Sequence, residues 1–256
     1  MIASLVSRLF GKPAPPAIPD ALWQETIEQL PFLARLSEDE RQRLRVMTRQ
    51  FLAEKEFTAT GGLELDDEIC LAIAVQGCLL VLNLGLEWYR DWVGIIVYPD
   101  EFVIPRHIQD DDGIVHEYDE VASGEAWGGG PLLISWRDVQ LSGDGYNVVI
   151  HEFAHKLDMR NGAADGLPPL HAGMLRERWE AVLLAAYEHF CEQVDSTEAR
   201  GETTDIDPYA AESPAEFFAV LSEVFFESPQ LLWQTYPDAY GQLTAFYRID
   251  PLAQMG

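Results

Sequence analysis

Positive charge is scarce in this chain. Its 256 residues include 17 Lys and Arg against 43 Asp and Glu, a formal net charge of -26 at pH 7. A surface of that sign repels phosphate backbones and anionic bilayers alike, so direct nucleic-acid binding and membrane association are not expected. Cysteine is scarcer still. Cys70, Cys78 and Cys191 make no disulfide framework. Cys70 and Cys78 stand eight apart in a helical pattern, about 12 Å along the axis at 1.5 Å per residue, too far to bridge. Free thiols fit a reducing compartment, so the expected location is cytoplasmic.

Long apolar runs are missing too. The longest, Ile69 to Leu86, is interrupted by Gln76, Gly77 and Asn83 and flanked by acids, so it reads as a buried core helix, not a membrane span. The opening "MIASLVSRLFGKPAPPAIPD" has a short apolar part broken by Arg8 and no basic region before it, which argues against a secretory signal. No internal repeat is visible. What is present is globular: 48% hydrophobic and 23% charged residues exclude disorder and suffice for a core.

The pattern along the chain predicts helices, then strands, then helices. Pro13 to Pro19 is an extended lead-in. "DALWQETIEQL" starts a helix at Asp20, and Ser37-x-x-Glu40 is a capping-box signature for a second. "LDDEICLAIAVQGCLLVLNLG" is a buried helix ending at Gly85. "GIIVYP" and "EFVIP" are short, β-branched and punctuated by proline, so they read as strands. "QDDDGIVHEYDE" is an acidic loop or strand pair, and Pro131 to Trp136 a strand after a glycine-rich turn. Further helices begin near Asp144 or Tyr146, at Leu175 and at Ser213-Pro214. This order predicts an α+β fold with a small mixed sheet. A boundary near residue 90 would separate a helical part, 1–90, from the remainder, 91–256.

The chemistry concentrates in "VVIHEFAHKLD". On a helix, His151 and His155 lie four apart on one face with Cβ atoms about 5–6 Å apart. Two imidazole nitrogens can then meet one zinc ion at about 2.0–2.1 Å each. Glu152 is offset from that line and more naturally reaches a zinc-bound water as general base. The bland alternative is a helix with two satisfied histidines and a surface glutamate. Val148, Val149, Ile150, Phe153, Ala154 and Leu157 argue otherwise, because they bury the histidines and buried polar groups need partners. Asp158, seven residues after His151, is too far along the axis to share the metal. It either holds His155 or a neighbouring backbone, or is a charge near the helix end.

A catalytic zinc needs a third ligand and one open position. The pattern that continues with Gly and His is absent, since those places are Asp158 and Asn161. A later helix must therefore supply the ligand, from "DPYAAESPAEFFAVLSEVFFESP". Ser213-Pro214-Ala215-Glu216 reads equally as helix punctuation: N-cap, Pro at N1, Glu at N3. Glu212, Glu223 and Glu227 compete with Glu216, and spacing alone does not choose among them.

"HEFAHKLDMRNG" followed by "YAAESPAEFFAVLSEVFF", together with "SGEAWGGGPLLISW", resembles the Mlc titration factor A family of bacterial zinc metallopeptidases, over most of the chain. The catalytic part is also similar to the metalloprotease domain of anthrax lethal factor. The resemblance implies a zincin-like metallopeptidase domain over 91–256 behind a helical N-terminal subdomain, and one Zn2+ per chain. It implies His151, His155 and Glu216 as ligands, Glu152 as general base, and Tyr209 pointing at the site. A phenol there could hydrogen-bond the oxyanion of a tetrahedral intermediate. It further implies aminopeptidase-like hydrolysis of peptide substrates and association with the Mlc repressor, hence control of sugar uptake. A second reading is a regulatory binding protein that sequesters a repressor, its metal site structural or vestigial. In zincin-like folds an edge strand beside the active helix pairs with extended peptide; Leu132 to Trp136 fits that place, with Gly128 to Gly130 letting substrate approach, and fits equally a core strand after a flexible turn.

Overall fold

The computed structural model describes residues 17–109, 115–143 and 145–253. The proline-rich lead-in before residue 17, the acidic segment 110–114 and the helix start expected at Asp144 lie outside the described residues.

Helix α1 (Asp20–Gln29) follows Pro19, whose fixed φ suits the entry to a helix. A 3-10 turn (Pro31–Arg35) leads to α2 (Glu38–Glu54), where the capping box forms. Ser37 N–H donates to the Glu40 carboxylate at 2.9 Å, and Glu40 N–H to Ser37 Oγ at 3.3 Å. Strand β1 (Glu56–Ala59), four residues long within the helical part, has too little pattern to be read from sequence. Helix α3 (Asp67–Leu80) is capped by Asp66 and buried on every side from Leu71 onward. It ends five residues short of Gly85, because tight turns carry the chain to that glycine and its φ of 97°.

After a 3-10 turn (Leu86–Tyr89) come β2 (Gly94–Tyr98), β3 (Phe102–Gln109), β4 (Val115–Ala122), β5 (Gly124–Ala126) and β6 (Leu132–Ser135). The sheet order is β1-β2-β6-β5: β1, β2 and β6 run parallel, and β5 runs antiparallel on the edge. The fold is thus α+β with a small mixed sheet. Of the two places the sequence allows it, Leu132–Ser135 takes the core one and not the edge. It is bonded on both sides, to β2 and β5, and its four buried residues suit an interior place. Trp136 leaves it, because Ser135 caps the short helix α4 (Trp136–Gln140). β3 and β4 form a separate antiparallel ribbon, whose Phe102 and Ile104 pack on Leu133 across the sheet face.

Helices α5 (Val148–Asp158), α6 (Arg176–Glu198), α7 (Pro214–Glu227), α8 (Pro229–Thr235) and α9 (Pro237–Tyr247) complete the chain. One apolar core runs from Trp23 to Ile249 and crosses residue 90. At its centre lies α5, with α3 on one side and α7 on the other. Gly77 makes the α3 contact possible: a Cβ there would come within 2.3 Å of the Phe153 ring. Phe153 in turn meets Phe51, Tyr89 and Trp92, with ring centroids 5.2–5.8 Å away. Arg35 donates to the carbonyls of Phe226 and Glu227, closing the end of α7 from the N-terminal part. Among the described residues no helix is long and apolar enough to cross a membrane.

Candidate metal centre

Apolar burial seats α5 firmly. Val148, Val149, Ile150, Phe153 and Leu157 are all 4% exposed or less. At roughly 1.5–3 kcal/mol each they outweigh the cost of the polar groups on the same helix, provided those groups find partners. Asn147 caps the helix, its Oδ1 accepting Ile150 N–H at 2.9 Å. This places the start two residues past Tyr146. The helix ends at Asp158 and continues as a 3-10 turn (Met159–Asn161) to Gly162, the expected stop.

His151 and His155 lie one turn apart on α5, with Nε2 atoms 3.1 Å from each other. Glu216, in the first turn of α7, brings Oε2 to 3.0 Å from His151 Nε2 and 3.2 Å from His155 Nε2. Ligands of a tetrahedral ion at about 2.0–2.1 Å stand roughly 3.3 Å apart, so the three donor atoms fit a zinc-sized cation. Half of the expected capping box is present: Ser213 Oγ accepts Glu216 N–H at 3.2 Å, while the carboxylate turns to the two imidazoles. Sequence left Glu212, Glu223 and Glu227 in competition; geometry separates them. Glu212 is exposed, Glu223 stands behind His151, and Glu227 accepts Asn147 Nδ2 at 2.7 Å and Gly145 N–H at 3.1 Å.

Glu223 Oε1 lies 2.8 Å from His151 Nδ1, and its Oε2 accepts Asn147 N–H. A carboxylate at Nδ1 keeps the proton there and leaves the Nε2 lone pair facing Glu216 and His155. His151 Nε2 and the Glu216 carboxylate are then two acceptors 3.0 Å apart, and such a pair requires a proton or a metal cation between its members. Without a metal the proton serves. Burial opposes charging His151, yet hydrogen bonds to Glu216 and Glu223 outweigh it and raise its pKa well above the usual value. Burial likewise opposes ionising Glu216, and the two histidines overcome it, holding that carboxyl below the ordinary range.

Glu152 faces β5. A Cβ at Gly124 would lie 2.5 Å from Glu152 Oε1, so only glycine lets this carboxylate pass the strand. Its Oε2 is buried and has no hydrogen-bond partner. Burial raises its pKa in spite of the two histidines. Tyr209 sits on a 3-10 turn (Pro208–Ala211) fixed by Asp207, which accepts Tyr209 N–H at 2.9 Å. Its ring centroid is 6.0 Å from that of His151. Burial, then Glu216 and Glu212, push its phenol pKa up, so it remains a neutral donor. All five residues line one cleft of about 540 Å³, walled by β5, the end of β4 and the start of α7.

The cleft runs along Gly124–Ala126; Gly128 to Gly130 close the turn between β5 and β6, the second of the two roles the sequence allows them. Asp158 holds backbone: its Oδ2 accepts the N–H groups of Asp165 at 2.9 Å and Gly166 at 2.7 Å, and burial pushes its pKa up to about 6. Asn147, Gln76 and Gly124 have no site role in the sequence pattern, and Glu223 stands there only as a competing ligand, not as the partner of His151 Nδ1. Asn147 alone carried a local signal, as an N-cap residue; Gln76 meets it only across 71 residues, at 2.7 Å.

Residues 11–248 match the family model of the glucose-regulated metallo-peptidases M90. The chain is 43% identical over 240 residues to Mlc titration factor A of Serratia proteamaculans (strain 568), covering 92% of this chain and 89% of that protein. It is 40% identical over 238 residues to Mlc titration factor A of Yersinia pestis (strain Pestoides F), covering 92% and 87%.

Proposed function

Because this chain belongs to the family of glucose-regulated metallo-peptidases M90, we propose that it is a zinc-dependent peptidase with a zincin-like catalytic unit. His151, His155 and Glu216 hold one zinc ion per chain. The observation that carries this reading is the convergence of their three donor atoms within 4.8 Å of one another, beside a buried carboxylate oxygen of Glu152 that has no partner.

A zinc ion held there supplies a Lewis acid and a water acidic enough to ionise near neutral pH. Glu152 takes the proton of the attacking water and passes it to the leaving amine. The phenol of Tyr209 donates a hydrogen bond to the oxyanion that develops on the scissile carbonyl. An extended peptide lies along β5 by strand addition, main chain to main chain, and the substrate class is short peptides cleaved in aminopeptidase fashion. The helices of residues 17–90, which also lend β1 to the sheet, buttress the catalytic unit that follows residue 90, and the protein acts in the cytoplasm.

Purified protein should carry about one zinc per chain when prepared without chelators. Glu152→Gln should keep that zinc and lose hydrolysis; full turnover in the variant removes Glu152 as base, and a chain that takes up no zinc removes the whole reading.

The name of the relatives favours a second role. On it, the chain binds the Mlc repressor and so adjusts sugar uptake, whether or not it cleaves peptides. Capture of the repressor by both Glu152→Gln and metal-free protein would separate sequestration from catalysis. A purely structural or vestigial metal site has no use for the open oxygen of Glu152, which is why catalysis is placed first.

A further inference from the structure

Lys156 follows His155 directly on α5, is only 3% exposed, and has no place in the chemistry above. Its Nζ donates to three backbone carbonyls: Trp127 at 2.6 Å, Gly130 at 2.9 Å and Pro131 at 3.1 Å. An ammonium has three protons to give, and each has an acceptor. The cation also stands 4.9 Å from the centre of the Trp92 ring. Burying a charge is costly, so its partners must be worth holding.

All three carbonyls belong to the turn that joins β5 to β6. Within itself that turn has two backbone bonds, Trp127 N–H to Pro131 O at 3.2 Å and Gly130 N–H to Trp127 O at 3.0 Å. Apart from the bond that the exposed Trp127 donates through Nε1 to Glu125, three glycines in succession give it little other reason to be rigid. One helical turn before Lys156, on the same face of α5, Glu152 packs against Gly124 at the far end of β5. Helix α5 therefore grips the edge strand at both ends, with Glu152 at Gly124 and Lys156 at the turn.

We infer that Lys156 is a positioning residue for substrate: it clamps the 127–131 turn to the metal helix and so fixes the edge strand Gly124–Ala126 as the rail for an extended peptide backbone beside Glu152. The inference rests on the peptidase reading. It assigns the residue after the second histidine to substrate binding, not to metal binding.

The test uses Lys156→Met and Lys156→Arg in the full-length, zinc-loaded protein. In Lys156→Met, hydrogen exchange of the amides of 124–131 should rise about tenfold or more while the α5 amides stay protected. Zinc affinity, measured against a competing chelator, should stay within about threefold. The KM of a tetrapeptide should rise about tenfold with kcat nearly constant, and Lys156→Arg, which keeps the donors, should recover most of it. Unchanged exchange at 124–131, or unchanged KM despite faster exchange, overturns the inference; so does a zinc affinity that falls in step with activity. Should Lys156→Met not fold, Lys156→Gln, with one donor group left, is read by the same measurements. Absence of peptide hydrolysis in the unaltered protein counts against the peptidase reading, and the exchange measurement still reports the clamp.

Discussion

The carboxylate of Glu223 joins two points of the metal helix at once, with Oε1 2.8 Å from His151 Nδ1 and Oε2 on the backbone N–H of Asn147. It therefore sets both the rotation of α5 at its first turn and the tautomer of the first histidine. Glu223→Gln should leave the fold intact and weaken zinc binding by about 10- to 100-fold, since an amide no longer enforces the Nδ1 proton. Competition with a chromophoric chelator measures this. An unchanged affinity would show that the bond orients nothing.

Gly124 leaves room for the Glu152 carboxylate. Gly124→Ala would put a Cβ 2.5 Å from Glu152 Oε1 and drive the carboxylate off its position. Zinc content should be unchanged, while kcat falls by about 10²-fold, at the low end of what a general base contributes. Steady-state kinetics with metal analysis on the same sample checks both halves of this statement.

Gly77 and Phe153 set the spacing of α3 and α5. A Cβ at 77 meets the Phe153 ring at 2.3 Å, so Gly77→Ala should cost about 1–3 kcal/mol of stability by overpacking. Phe153→Leu in the same chain should return part of it. Denaturant unfolding of both single variants and the double variant gives the coupling, and strict additivity would exclude this contact as the cause.

Asp158 makes stability depend on pH in an unusual direction. Its carboxyl titrates near 3.8 when unfolded and at about 6 when folded, burial being the main cause. Between those values the folded chain keeps a proton that the unfolded chain has lost. The contribution of Asp158 to stability therefore falls as pH rises from about 4 to 6 and is constant above. Asp158→Asn cannot titrate. In metal-free protein it should gain on the unaltered chain across that window by on the order of 1–3 kcal/mol, on top of a constant offset from the changed amide. Denaturant midpoints at a series of pH values give the slope, and a flat difference would disprove the shift.

Much of the site was legible because it is local. His151, Glu152 and His155 follow from helical spacing, and Ser37–Glu40 from capping geometry in four residues. Glu216 was half legible: an N3 glutamate after Ser-Pro has the same local signature whether it caps a helix or faces another one. Its geometry follows from how α7 packs against α5, sixty residues away in sequence. Glu223 could not be told from Glu227 for the same reason, since both lie on buried turns of one helix. The edge strand Gly124–Ala126 is three residues long and begins with glycine, too little to read, whereas Leu132–Ser135 carries the stronger strand pattern and by that pattern suits an edge or a core place equally. An edge needs less pattern than a strand buried on both faces.

The chain by itself determined the elements whose cause lies within a few residues: the acidic surface, the capped helices, the buried run of α3, and two imidazoles one turn apart on an apolar helix. Tertiary packing alone decided which glutamate meets those imidazoles, which one stands behind His151, where the open strand lies, and that Lys156 ties the turn of that strand to the same helix. Those relations span tens of residues, and no local periodicity encodes the crossing of two helices or the order of strands in a sheet.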